Sequence, residues 1–236
     1  MPLEVCVAQT QGQIGYMIQT TLDNELMKID RDMLHLFVTV ITYVQVDPKD
    51  PAFRNPTKPI GPYYTEEQAK SRPYRFIKTP KGYRRVVASP KPITIVEKRE
   101  IAKLIENGFI VIACGGGGIP VTKKGRKFAG AEAVIDKDLA SAKLAEEVGI
   151  DIMLIATDVE KVALNYATRN QIDLDALTVE DAKRYLKEGQ FGVGSMRPKI
   201  EAAVEFLKAG GGKVVITSTD KIIQALDGKT GTHITR

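Results

Sequence analysis

Phe109-Ile110-Val111-Ile112-Ala113-Cys114 runs straight into Gly115-Gly116-Gly117-Gly118. The first six residues are apolar and rich in β-branched side chains, which suits a buried strand. Side chains then vanish for four positions, so backbone N–H groups can converge on an anion with no Cβ in the way. A tight strand-to-loop turn needs fewer glycines than this, and the pattern therefore favours an anion-binding loop. It is not a dinucleotide fingerprint, because Pro120 or Val121 occupies the place of the third glycine.

Outward from that stretch, strand and helix signals alternate. Ile14, Met17, Ile18, Leu22, Leu26 and Ile29 recur at helical spacing over 11–29, and 34–46 (LHLFVTVITYVQV) reads as one buried strand. Residues 97–107 form a helical pattern stopped by Gly108. Beyond the glycines, helices are predicted over 138–148, 178–188, 198–209 and 220–226, with strands over 151–156 and 213–217. Thr178 begins a capped-looking Thr-Val-Glu-Asp start. Alternation of this kind predicts an α/β protein with helices covering a largely parallel sheet.

The chain has 236 residues, with 34 Lys/Arg against 29 Asp/Glu and only two cysteines, which excludes disordered and disulfide-scaffold classes. No apolar run is long enough to span a bilayer. The start, Met1-Pro2-Leu3-Glu4, lacks a basic-then-apolar leader, which predicts a cytoplasmic protein. The basic excess is local. Residues 49–91 hold eleven Lys/Arg against three acids, with nine of the twelve prolines between Pro48 and Pro92 and six aromatics interleaved. Such an arm can be a solvated protrusion, a nucleic-acid contact, or a lid presenting Lys to a small anion.

Metal and nucleophile chemistry finds little support. His35 and His233 are isolated, Cys6 and Cys114 are far apart and suit packed small hydrophobes, and no metal-ligating set is predicted. Gly228-Lys229-Thr230 mimics the end of a P-loop, but Ile223 stands where the first glycine is required. Two lysines suit phosphate work. Lys137 lies between Asp136 and Asp138 where a strand pattern gives way to a helix. Gly194-Ser195-Met196-Arg197-Pro198-Lys199 places Ser195 at an N-cap position and Lys199 in a first turn, where its charge opposes the helix dipole unless an anion compensates. Phosphoryl transfer is mostly positioning and charge neutralisation, so such a site requires no His or Cys. Asp138 can orient the lysines or cap its helix. Thr157-Asp158-Val159 follows a strand, where open α/β sheets bind ligands.

Together these stretches resemble the carbamate kinases of the amino-acid-kinase superfamily. The resemblance rests on Gln11-Gly12 with Ile14-Gly15-Tyr16, Asp50-Pro51-Ala52-Phe53, and Asn55-Pro56-Thr57-Lys58-Pro59-Ile60-Gly61-Pro62. It continues through the loop from Gly115 to Val121, Val134 to Ala140, Thr157 to Val159, Gly194 to Lys199 and Gly228-Lys229-Thr230-Gly231-Thr232. It implies a three-layer αβα sandwich. An acceptor lobe would span 1–148, with a protruding basic subdomain at about 48–92, and a nucleotide lobe 149–236.

The resemblance also assigns roles. It puts Lys137 and Lys199 beside the transferring phosphoryl group, organised by Asp138. Gly115, Gly116 and Gly117 cradle the acceptor side, and Lys58 closes over the carbamate from the arm. Thr157, Asp158, Val159, Tyr166, Gly194, Ser195 and Met196, with Lys199, belong to the adenine-nucleotide site, where Tyr166 faces the base. The resemblance implies that ATP and carbamate exchange with ADP and carbamoyl phosphate, with Mg²⁺ on the nucleotide phosphates. A homodimer is implied, with no nucleic-acid or membrane partner.

Four departures stand out. Family members carry a strand, a Gly-Gly-Asn-Ala loop and further N-terminal strands before the region matching Pro2. Without them, weak or no kinase activity is expected, the alternative being an inactive nucleotide-binding or oligomer-forming remnant. The arm is shortened between Glu67 and Tyr83. Arg197 replaces a residue that is commonly small, and Thr10 replaces a usual serine.

Overall fold

Residues 1–29 and 36–236 are described by a computed structural model. The chain divides into two units, Met1–Ala140 and Ser141–Arg236, with the division falling inside a helix.

The first unit begins with α1 (Leu3–Ile29), which starts well before the predicted 11–29. Its buried line is Val7, Gln11 and Gly15, one helical turn apart, whereas Tyr16, Met17, Ile18 and Leu22 are exposed. Gly15 permits close approach, since a Cβ there would stand 2.1 Å from Thr39 Cγ2. The strand predicted over 34–46 is instead two strands, β1 (Phe37–Thr39) and β2 (Tyr43–Gln45). Its first residues, Leu34 and His35, lie outside the described residues. The interruption has a physical cause at buried Thr42. Its backbone N–H donates to Gln11 Oε1 and its carbonyl accepts from Gln11 Nε2, both at 3.1 Å.

After α2 (Pro51–Arg54), the basic arm folds as an antiparallel sheet. Its strands are β3 (Lys58–Tyr64), β4 (Phe76–Thr79) and β5 (Gly82–Val87), in the order β3-β5-β4, with α3 (Glu66–Lys70) between β3 and β4. Arg72, Arg84 and Arg85 lie over the rings of Tyr64, Tyr63 and Tyr74 at 4.7, 5.3 and 3.8 Å. The interleaving of basic and aromatic residues is thus in part internal cation–π packing.

β6 (Thr94–Ile95), α4 (Lys98–Glu106), β7 (Ile110–Ile112), β8 (Ile119–Lys124), β9 (Lys127–Gly130) and α5 (Lys137–Val148) follow. The sheet order is β6-β2-β8-β9, with β2 and β8 parallel, and β1 pairs in parallel with β7. Gly108 ends the α4 region at φ +80, a conformation that glycine adopts without strain.

The second unit contains β10 (Ile152–Thr157), β11 (Val162–Leu164), β12 (Ile172–Leu174), β13 (Ala176–Thr178) and α6 (Val179–Lys187). It continues with α7 (Met196–Lys208), β14 (Lys213–Ser218), α8 (Ile222–Leu226) and β15 (Thr232–Thr235). The main sheet runs β10-β14-β15-β13, with β10/β14 and β13/β15 parallel and β14/β15 antiparallel. Ile200, Phe206 and Leu207 of α7 are buried, as are Val214 and Ile216 of the neighbouring strand β14. Thr178 caps α6 as predicted, accepting from the Asp181 N–H at 3.1 Å. The whole is a mixed α/β fold with parallel elements, with antiparallel pairing in the arm, in the β8–β9 and β11–β12 hairpins, and between β2 and β6 and β14 and β15.

Candidate functional site

In the first unit the predicted acceptor residues gather at the start of α5. Lys58, the first residue of β3, places its Nζ 2.7 Å from Asp136 Oδ2. Asp136 sits at the N-cap position of α5. Its carbonyl accepts the first helical bond from Ala140 N, and its Oδ1 takes the Asp138 N–H at 3.0 Å. Burial alone would raise the Asp136 pKa. The Lys58 ammonium, followed by the N–H groups of Asp138 and Leu139, outweighs it and holds the carboxyl below its ordinary value. Lys137 and Asp138 occupy the first two helical positions, with Lys137 Nζ 3.5 Å from Asp138 Oδ2. Lys137 is open to solvent, whereas Asp138 is buried.

The glycine loop packs directly against this corner. Gly115–Gly117 forms a 3₁₀ turn entered through Cys114 in the left-handed region, at φ +56. A Cβ on Gly117, itself at φ +100, would stand 2.2 Å from the carbonyl oxygen of Ile135, next to Asp136. Gly115 lies against Gln11, and Thr42 Oγ1 accepts the Cys114 N–H at 2.7 Å. Thus Lys58, Lys137, Asp138 and the glycines share one neighbourhood.

Asp136 is the residue that sequence reasoning missed. It flanks Lys137 in the sequence, where the pattern points to Asp138 for orienting the lysines. The carboxylate that meets Lys58 is Asp136. The available signal was its place two residues before the predicted helix start at 138, where Asp is a preferred cap.

In the second unit, Thr157 ends β10, and its hydroxyl donates to Asp158 Oδ1 at 3.0 Å. Val159 and Tyr166 line a cavity of about 300 Å³, together with Glu160, Lys161, Gln171 and Asp173. That volume is at the lower end for small-molecule sites. Tyr166 is exposed and lies between two residues in the left-handed region, Asn165 (φ +50) and Ala167 (φ +60). Lys161 pairs with Asp175 at 2.6 Å, a bond that raises the lysine pKa.

Gly194 turns the chain at φ +81 into α7, and Ser195 takes the N-cap position. The Ser195 hydroxyl does not cap the helix, because it donates back to the Gly192 carbonyl at 3.2 Å. Met196 opens the helix and is partly exposed. Lys199, in that first turn, is buried at 7% exposure, an unusual position for an ammonium group beside an N-terminal helix dipole. Among the described residues, no group of three or more His, Cys, Asp or Glu stands together as a metal cage.

Known proteins place the whole chain in a family. The amino acid kinase family model matches residues 56–218. The carbamate kinase of Thermococcus kodakarensis is 50% identical over 240 residues, covering 100% of this chain and 76% of its own length. That of Pyrococcus horikoshii is 49% identical, covering 99% of this chain and 76% of its own. A solved structure of Giardia lamblia carbamate kinase bound to AMP-PNP superposes with a TM-score of 0.90 at 41% identity, covering all of this chain and 76% of that one. This chain therefore belongs to the carbamate kinases of the amino acid kinase family.

Proposed function

We infer that this protein transfers a phosphoryl group reversibly between ATP and carbamate, with ADP and carbamoyl phosphate on the other side of the reaction. The observation that carries the reading is half-identity to carbamate kinases along the entire chain. In the forward direction, a carbamate oxygen bonds to the γ-phosphorus as the bond to the ADP oxygen breaks. The acceptor oxygen is already anionic, so the step calls for cations and alignment more than for a general base.

Residue chemistry and position support the following roles. Lys58, held by Asp136, recognises the carbamate carboxylate. Lys137 and Lys199 neutralise charge on the phosphoryl oxygens, and Asp138 steadies Lys137. Gly115, Gly116 and Gly117 let backbone N–H groups approach the acceptor. The cavity beside Tyr166 and Val159 fits an adenine ring, and Thr157, Asp158, Gly194, Ser195 and Met196 complete the proposed nucleotide set. Mg²⁺ suits a site on the nucleotide phosphates, because Asp136 and Asp138 are already engaged with Lys58 and Lys137.

Residues 1–148 then serve as the acceptor lobe, with the arm at about 48–92, and 149–236 as the nucleotide lobe. A cytoplasmic homodimer is the proposed setting, and the exposed apolar side chains of α1 support the dimer. No described helix is long and apolar enough to cross a membrane. The test is ATP formation from ADP and carbamoyl phosphate by the purified protein. Folded protein that binds ADP but forms none overturns the reading in favour of the nucleotide-binding remnant.

A further inference from the structure

The turn at Gly228-Lys229-Thr230-Gly231-Thr232 has no part in the chemistry above, yet both of its threonine hydroxyls reach the segment walling the Tyr166 cavity. Thr230 Oγ1 donates to the carboxylate of Glu160, a cavity residue. Thr232 is fully buried, and its Oγ1 accepts the Val162 N–H at 2.8 Å and donates to the Leu174 carbonyl at 2.5 Å. Val162 and Leu174 face each other across the β11–β12 hairpin. One hydroxyl therefore ties both strands at one end, while the loop at the other end carries Tyr166.

The same connection is reinforced nearby. The His233 N–H donates to the Asp175 carbonyl at 2.9 Å, and the Asp175 carboxylate holds Lys161 of the cavity wall. Gly231 lets the turn fold back this closely. It sits at φ +80, and a Cβ there would meet Ile216 O at 3.1 Å.

We propose that Thr230 and Thr232 are positioning residues for the nucleotide, setting the wall at 159–161 and the pitch of the Tyr166 loop without touching the ligand. This rests on the reading of that cavity as the adenine-nucleotide site. Thr232→Val keeps the shape and removes the hydroxyl, leaving the buried Val162 N–H and Leu174 carbonyl without this partner.

The expected result is an ADP dissociation constant raised about tenfold by calorimetry, with KM for carbamoyl phosphate unchanged and Thr232→Ser restoring affinity. Folded Thr232→Val protein that binds ADP like wild type overturns the proposal, as does an equal rise in both KM values. If Thr232→Val does not fold, Thr230→Val decides, since unchanged ADP affinity there overturns the proposal. Tyr166→Ala separates the two layers. Unaltered ADP binding in Tyr166→Ala removes the cavity from the nucleotide site. Weakened binding there, with wild-type binding in folded Thr232→Val, removes only the positioning role.

Discussion

Lys58 and Asp136 form an ion pair at 2.7 Å although they are 78 positions apart, so the arm that bears the lysine is tied to the first turn of α5. The pair is partly buried, and losing one partner leaves the other charge poorly solvated. Asp136→Asn keeps an N-cap side chain while removing the charge. The expected outcome is a KM for carbamoyl phosphate raised about tenfold, with KM for ADP little changed, measured by steady-state ATP formation.

The same carboxyl has a pH signature. Its pKa is depressed in the folded protein, so its contribution to stability is present above the ordinary Asp value near 4 and is lost as pH falls through the lower folded value. Chemical denaturation between about pH 3 and pH 6 is expected to show a steeper acid loss for wild type than for Asp136→Asn.

Lys199→Ala removes a buried cation from the first turn of α7. A fall in kcat of at least about 100-fold is expected, the scale for losing one electrostatic contact to a transition state. Its ADP affinity is expected to fall as well. Unchanged kcat in a folded variant would remove Lys199 from the phosphoryl-handling set.

Gly117→Ala places a Cβ against the Ile135 carbonyl at a positive φ. Destabilisation of about 3 kcal/mol or more is expected by urea denaturation, from overpacking and backbone strain together. Gly116→Ala has room near Thr10, with the nearest side-chain atom at 3.8 Å, and is expected to cost about 1 kcal/mol, mainly from its left-handed backbone.

Met17 and Leu22 lie exposed on α1, at 57% and 36%. If a second copy covers them, Met17→Glu with Leu22→Glu shifts sedimentation from dimer to monomer. Kinase folding in each unit is expected to persist, because neither side chain is buried in its own chain.

The parts of the fold that were legible in the sequence are those written locally. The Thr178 cap, the helix stop at Gly108 and the strand entering the glycine loop each depend on a few adjacent residues. Two features were not legible because their causes lie far away in the chain. An unbroken β-branched run hid the interruption at Thr42, which is made by Gln11 from 31 positions upstream. Asp136 was overlooked for the same reason, since its decisive partner is on the arm. The apolar spacing in α1 announced a helix but not its inward face, because that face is built from a valine, a glutamine and a glycine.

The Gln11–Thr42 pairing has a consequence for association between chains. The amide of Gln11 offers Thr42 one donor and one acceptor, as a neighbouring peptide group would. Thr42 carbonyl oxygen also accepts from Ile119 N at 2.9 Å. At this point a side chain stands in for a partner strand, so the Thr42 peptide groups are already satisfied and offer nothing for a stray strand from another molecule to recruit.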